Sequence, residues 1–133
     1  MPTRILDSFA LLAFFQDEPG ANVIEKMLLE AQNGQVHLSI CVVNLGEVWY
    51  AVSRAHSVEV ADSYIRQVQS MPIEIVDVDW LLTRQAAEFK SRGNIAYADC
   101  FAAALAKTRE AEVVTGDNKF KVLQDEVQVL WLK

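Results

Sequence analysis

An alanine-rich helical segment followed at once by a short β-branched strand is the feature that most restricts the fold of this 133-residue chain. Residues 98–109 are rich in Ala and Leu and end with Lys107 and Arg109, a composition that favours a helix. Residues 112–115 (EVVT) predict a brief strand. A helix of about a dozen residues between two strands has the length of a parallel crossover. Such crossovers place strand carboxyl ends and helix amino ends at one edge of a sheet.

Short apolar segments alternate with helical patterns along the whole chain. The nearly continuous apolar run 36–43 predicts a central parallel strand that is covered on both faces. Strands are predicted at 3–6, 36–43, 73–76, 112–115 and 127–130. Helices are predicted at 8–15 (with Ser8 as a possible cap), 23–31, 44–53, 58–69, 80–91 and 98–109, with a short one ending at Leu123. The pattern predicts an α/β protein, a three-layer α/β/α sandwich around a mainly parallel five-stranded sheet, in a single domain over 1–133.

Composition limits the class of protein. Hydrophobic residues make up 52% of the chain and charged residues 23%, which excludes a disordered tail. Cys41 and Cys100 both lie in apolar runs, so they are expected to be reduced packing residues of a cytoplasmic protein. The apolar run 5–15 is interrupted by Asp7 and is too short to span a bilayer, so no membrane segment is expected.

The net charge of −6 taken alone argues against a nucleic-acid partner. That argument weakens if some acids bind divalent cations. Setting four carboxylates aside leaves 14 acidic side chains against 12 basic ones. The distribution of charge therefore decides more than its sum.

Four carboxylates map to the edge of the predicted sheet at which the strands end: Asp7, Glu47, Asp99 and Asp117. Each has a simpler explanation when taken singly. Asp7 suits a helix cap, and Glu47 suits a capping box with Asn44. Asp99 suits the first turn of a helix, and Asp117 suits a turn. Their joint placement is what points to chemistry.

Acids that converge without a basic partner repel one another and raise one another's pKa. Mg²⁺ or Mn²⁺ relieves that repulsion, because both ions take oxygen ligands and leave positions open for a phosphate and a water. Other sites fit less well. Phe9 stands where haloacid-type hydrolases need a second Asp, no glycine-rich phosphate loop occurs, and neither His37 nor His56 lies in a triad pattern. The acids therefore predict a site for one or two divalent cations with open positions for a phosphate and a nucleophilic water.

Four motifs, in this order and spacing, resemble those of the PIN-domain ribonucleases, specifically the VapC toxins of toxin–antitoxin pairs. They are LDS at 6–8, NLGE at 44–47, AYAD at 96–99 and VTGD at 114–117, the last followed by Phe120. The resemblance extends to VLWL at 129–132 and so covers essentially the whole chain.

This resemblance implies a Mg²⁺- or Mn²⁺-dependent endoribonuclease that leaves a 3′-hydroxyl and a 5′-phosphate. It implies that Ser8 and Thr115 orient the metal ligands. It also implies an RNA substrate, a VapB-type antitoxin partner and a homodimer. The implied metal ligands are Asp7, Asp99, Asp117 and, directly or through water, Glu47.

Five cations that lie near the acids in sequence are predicted to contact the RNA, although charged helix ends are usually just solvated. They are Arg54, Lys90, Arg92, Lys119 and Lys121. Tyr50 or Tyr97 is a candidate surface for base stacking. The two residues of each adjacent pair, Phe14-Phe15 and Trp49-Tyr50, cannot both face inward on a helix. One member of each is therefore expected to line a groove for a partner or a second subunit. The alternative function is a PIN-like module that binds RNA or protein without cutting it; the presence of all four acids favours the enzyme.

Overall fold

Five parallel strands form the centre of the protein, whose computed structural model describes residues 1–132. The spatial order is β3-β2-β1-β4-β5, so the first strand lies in the middle and the order reverses there. In sheets of this kind, ligands bind in the crevice outside the strand carboxyl ends at the point of reversal. The strands are β1 (Thr3–Leu6), β2 (His37–Cys41), β3 (Ile73–Val76), β4 (Glu112–Thr115) and β5 (Val129–Trp131).

Helices cover both faces of the sheet. A 3₁₀ helix, Asn118–Leu123, joins β4 to β5. Within residues 1–132, no helix has the combination of length and apolar composition needed to cross a bilayer. The α-helices are α1 (Ser8–Phe15), α2 (Ala21–Gln32), α3 (Val42–Ala55), α4 (Val58–Gln69), α5 (Trp80–Ser91) and α6 (Tyr97–Thr108).

The core has two parts because successive residues of a strand point to opposite faces. Ile5 and Val113 pack with residues of α5 and α6 on one face. Leu6 and Val114 pack with residues of α1 to α4 on the other. All four side chains are fully buried, as expected of strands covered on both faces. The predicted three-layer α/β/α architecture is confirmed.

Helix α6 is buried along most of its length. Every residue from 99 to 106 is buried, and four of these eight are alanines. The small side chains let the helix approach the sheet closely, and they leave no room for larger ones. Asp99 is the one charged residue in this buried stretch, so the fold holds its carboxyl group in a fixed place.

Several predicted boundaries differ from the structure. Helices α2, α3 and α6 begin one or two residues earlier than predicted, and two strands were placed wrongly at their ends. The second strand was expected over 36–43, but β2 ends at Cys41 and α3 begins at Val42. The neighbouring strands decide this, since Leu6 is the last residue of β1 to pair with β2 and Val76 the last of β3. Beyond Cys41 the chain has no strand to pair with, and it turns into a helix despite two β-branched valines.

The last strand was predicted over 127–130 and is found at Val129–Trp131. The amide of Val127 donates to the carbonyl of Leu123 at 2.9 Å and so closes the turn that follows the 3₁₀ helix. An amide used in that turn cannot also pair within the sheet. The strand therefore starts two residues later than the apolar pattern suggests.

Candidate active site

The four predicted acids lie at the carboxyl edge of the sheet, near its point of reversal. Asp7 follows β1, Asp117 follows β4, Asp99 lies in the first turn of α6 and Glu47 lies in α3. They are close enough to act on one another electrostatically. The charges of Asp99 and Asp117 raise the pKa of Asp7, and those of Glu47 and Asp117 raise the pKa of Asp99. Segments far apart in sequence therefore bring their acids together at the strand carboxyl ends, where the crevice of such a sheet is expected.

Asp7 is a buried helix cap. Its Oδ1 accepts a hydrogen bond from the Ala10 amide at 2.8 Å, so Asp7, and not Ser8, caps α1. The residue is only 1% exposed. Burial raises the pKa of Asp7 to about 7, although the Thr115 hydroxyl and the Ala10 amide lower it. The capping explanation is thus correct, but a cap alone does not require so costly a position.

Asp99 is the second buried acid, at 7% exposure. Burial raises its pKa to about 6, with further increases from the charges of Glu47 and Asp117. The Lys119 ammonium lowers the pKa of Asp99 but is the smallest of these effects. Its place in the first turn of α6 suits a carboxylate. The surroundings as a whole nevertheless disfavour its charged form.

Glu47 is held by two hydroxyl groups. Ser8 Oγ donates to its Oε1 at 2.7 Å, and the Tyr50 hydroxyl donates to its Oε2 at 3.3 Å. The first bond links the start of α1 to α3. Ser8, predicted to orient the ligands, therefore contacts the glutamate directly.

Asn44 does not form the capping box that was the simpler explanation for Glu47. Because α3 begins at Val42, Asn44 lies inside the first turn, and its Nδ2 donates to the Ala98 carbonyl at 3.0 Å. This bond ties α3 to α6 one residue before Asp99. The Asn44 side chain is fully buried, and its Oδ1 has no hydrogen-bond partner among residues 1–132.

Thr115 ends β4, and Asp117, the acid that follows this strand, is held by hydrogen bonds. The Asp117 amide donates to Thr115 Oγ1 at 3.0 Å, and Asp117 Oδ1 accepts from the Lys119 amide at 3.0 Å. Asp117 therefore caps the 3₁₀ helix. The buried Thr115 hydroxyl also lowers the pKa of Asp7 through a hydrogen bond. Thr115 therefore connects the acids that follow β1 and β4.

The donor set suits a hard divalent cation. All four side chains offer carboxylate oxygens, and within residues 1–132 none of them forms an ion pair with a lysine, arginine or histidine. Among residues 1–132, no three His, Cys, Asp or Glu side chains form a group that could hold a metal ion as they stand.

Comparison with known families identifies the fold of this site. A family model, the PIN domain, matches residues 4–126. The chain belongs to the PIN domain family. The resemblance that the four motifs indicated is thereby confirmed at the level of the family. No curated protein is similar enough in sequence to match the chain.

Solved structures share the fold of this PIN domain along nearly its whole length. VapBC2 from Rickettsia felis, bound to a DNA fragment from their promoter, is 21% identical, with a TM-score of 0.78 and coverage of 98% of this chain and 99% of that one. VapBC-5 from Mycobacterium tuberculosis is 20% identical (TM-score 0.66; coverage 100% and 99%). VapC20 from Mycobacterium tuberculosis, a toxin that cleaves the sarcin-ricin loop, is 16% identical (TM-score 0.71; coverage 90% and 94%).

The five cations predicted to contact RNA differ in their surroundings. Lys90 donates to the Ile95 carbonyl at 2.9 Å, and Arg92 pairs with Glu88 and Glu126. These two are engaged within the PIN domain. The guanidinium of Arg54 lies 5.6 Å from the centre of the Tyr50 ring. Lys119 lowers the pKa of Asp99, and Lys121 is exposed.

The two aromatic pairs behave differently. Tyr50 is 48% exposed, whereas Trp49 is half-buried and donates from Nε1 to Asp62 at 2.9 Å. This pair divides as predicted. Phe14 and Phe15 are both half-buried, and Phe15 stacks on Tyr64 with ring centres 4.3 Å apart. The second pair therefore has no fully outward member.

Proposed function

We propose that this PIN domain is a metal-dependent endoribonuclease and the toxin of a VapBC-type toxin–antitoxin pair. The observation that carries the proposal is the state of Asp7, which is 1% exposed and has no cationic partner among the described residues. Asp79 forms the same kind of cap on α5, at 2.9 Å, while exposed to solvent. A buried, unpaired carboxylate that the cap does not require is typical of a functional site.

The proposed ligands of Mg²⁺ or Mn²⁺ are Asp7, Asp99 and Asp117, with Glu47 binding directly or through water. A bound dication would lower the pKa of a water molecule and stabilise charge on the phosphoryl oxygens. Ser8 fixes the Glu47 carboxylate through its 2.7 Å hydrogen bond. The Thr115 hydroxyl accepts a hydrogen bond from the Asp117 amide and also lowers the pKa of Asp7.

RNA is the proposed substrate and a VapB-type antitoxin the proposed partner. VapC20, which shares the fold, is a toxin that cleaves the sarcin-ricin loop, and the other two structures are of VapBC proteins. A cytoplasmic location agrees with two buried free cysteines. A homodimer is also proposed. Light scattering that gives a monomer mass at every concentration would contradict that part alone.

The test is to express the wild type, Asp7→Asn and Asp79→Asn in cells and to sequence newly formed RNA ends. Wild type and Asp79→Asn are expected to generate the same new 5′-phosphate ends, and Asp7→Asn none. Asp79→Asn is the matched control because it makes the same chemical change at another helix cap. Purified wild type should lose the activity in EDTA and regain it with Mn²⁺.

Two outcomes would contradict the proposal. New ends that persist in Asp7→Asn would show that the acid is not part of the site. RNA that binds the purified wild type but stays intact with Mg²⁺ or Mn²⁺ would favour the non-cleaving module. Cleavage should also survive a 2′-deoxy substitution at the scissile nucleotide, since the water route needs no ribose hydroxyl.

A further inference from the structure

Three exposed aromatic side chains lie close in sequence to the four acids. Phe9, Tyr97 and Tyr50 are 42%, 44% and 48% exposed, and each lies within three residues of one of the four acids. Exposed aromatic side chains gathered at one site indicate a contact surface for a ligand. The rings differ in what contacts them, and this difference separates Tyr50 from the other two.

Phe9 lies against the backbone near Asp117. Its ring lies against Gly116, the residue between Thr115 and Asp117, and a Cβ added to Gly116 would stand 2.7 Å from the ring atom Cζ. Only glycine permits so close an approach of ring and backbone. The ring therefore lies beside the segment that carries Asp117, while much of its surface stays open to solvent.

Tyr97 packs against a ring of its own helix, and Tyr50 is engaged by two neighbours. The Tyr97 ring packs on Phe101 with centres 5.0 Å apart and planes inclined at 56°. The Tyr50 ring carries the Arg54 guanidinium, and its hydroxyl is bonded to Glu47. Of the three, Phe9 and Tyr97 are thus the exposed rings that have neither a cation beside them nor a bond to an acid within residues 1–132.

We propose that Phe9 and Tyr97 stack the unpaired bases that flank the scissile phosphate. This inference rests on the proposed nuclease function. The crevice is acidic and the chain carries a net charge of −6, so phosphate contacts alone hold RNA poorly there. Base stacking on an aromatic ring involves no phosphate and suits any base, because every base has a π-face. Bases within a duplex are already stacked, so this mode selects single-stranded loops and ends.

The test uses a hairpin RNA that carries, in its loop, the cleavage site mapped in cells. KM and kcat are measured for the wild type, Phe9→Leu, Tyr97→Leu and the ring-retaining Tyr97→Phe. Each leucine variant is expected to raise KM about ten-fold with little change in kcat, and Tyr97→Phe to keep the wild-type KM. Thermal unfolding of each variant checks that it is folded.

A second RNA with an abasic nucleotide beside the scissile bond separates stacking from a general effect of mutation. The KM of the wild type should be about ten-fold higher on this RNA than on the intact one. The KM of the leucine variant that lacks the matching ring should be the same on both RNAs. In an Asp7→Asn background, 2-aminopurine at the same position should be quenched on binding, and less so once the ring is removed.

Unchanged KM values in both leucine variants would overturn the proposal, as would full abasic penalties that persist in them. The rings would then be contacts for a protein. If the wild type cleaves no RNA at all, the proposed function fails and the stacking role fails with it. Normal cleavage by the wild type with unaffected leucine variants rejects the stacking role alone.

Discussion

Replacing Asp7 with Asn is expected to stabilise the metal-free protein at neutral and alkaline pH. Burial raises the pKa of Asp7 from its ordinary 3.8 to about 7, so the folded state opposes its ionisation. Asparagine is a good helix cap and keeps an oxygen for the Ala10 amide, which lies 2.8 Å from Asp7 Oδ1. The substitution therefore removes the buried charge and keeps the cap.

The sign follows from the raised pKa of the folded state. Asp7 contributes its full stability below pH 3.8, where it is protonated in both states, and loses it as the pH rises through 7. Linkage over this interval gives a loss of about 4 kcal/mol at pH 8 and under about 2 kcal/mol at pH 5. The gain from Asp7→Asn should follow the same dependence on pH. For a chain of this length, the gain at pH 8 raises Tm by on the order of 10 °C.

Urea denaturation in EDTA at pH 8 and pH 5 measures this difference. Asp79→Asn serves as the control, because it changes a cap of similar length, 2.9 Å, at an exposed position and should give no gain at pH 8. If Asp7→Asn is no more stable than the wild type at pH 8, or gains equally at both pH values, the burial argument is wrong.

Three further predictions concern other parts of the molecule. Mn²⁺ should raise the Tm of the wild type at pH 8 but less that of Asp7→Asn; equal shifts would place the ion elsewhere. Gly116→Ala should cost about 1–3 kcal/mol in urea denaturation, because its Cβ meets the Phe9 ring, whereas Gly46→Ala, with open space around it, should stabilise helix α3 by up to about 1 kcal/mol. Arg109 and His37 lower the pKa of Glu74 to about 2, so Glu74→Gln should destabilise at pH 7, by roughly 1 kcal/mol or less at this exposed site, and the loss should shrink as the pH falls from 4.5 towards 2.

Local signals predicted the helices and strands best where caps mark their ends. The helices at 58–69 and 80–91 were placed correctly. Ser57 accepts from the Val60 amide at 3.1 Å, and Asp79 accepts from the Leu82 amide. The end of β2 could not be predicted, because it depends on where the neighbouring strands end and not on the valines that follow Cys41.

The acids of the crevice could be predicted because parallel topology brings strand ends to one edge. The contacts between distant segments could not. Asn44 meets the Ala98 carbonyl across 54 residues of chain, and the Phe9 ring meets Gly116 across a longer interval still. The partners of Lys90 and Arg92 were hidden for the same reason, so a position in sequence near the acids did not leave these cations free.

The parallel direction of the first and last strands has a practical consequence for fusion proteins. Because β1 and β5 are both parallel members of one sheet, β1 starts at the edge opposite the acids and β5 finishes at the edge that carries them. An affinity tag or fluorescent protein placed ahead of Thr3 emerges on the far side of the molecule. The same attachment placed after Trp131 emerges beside Asp117, where it would obstruct access to the crevice.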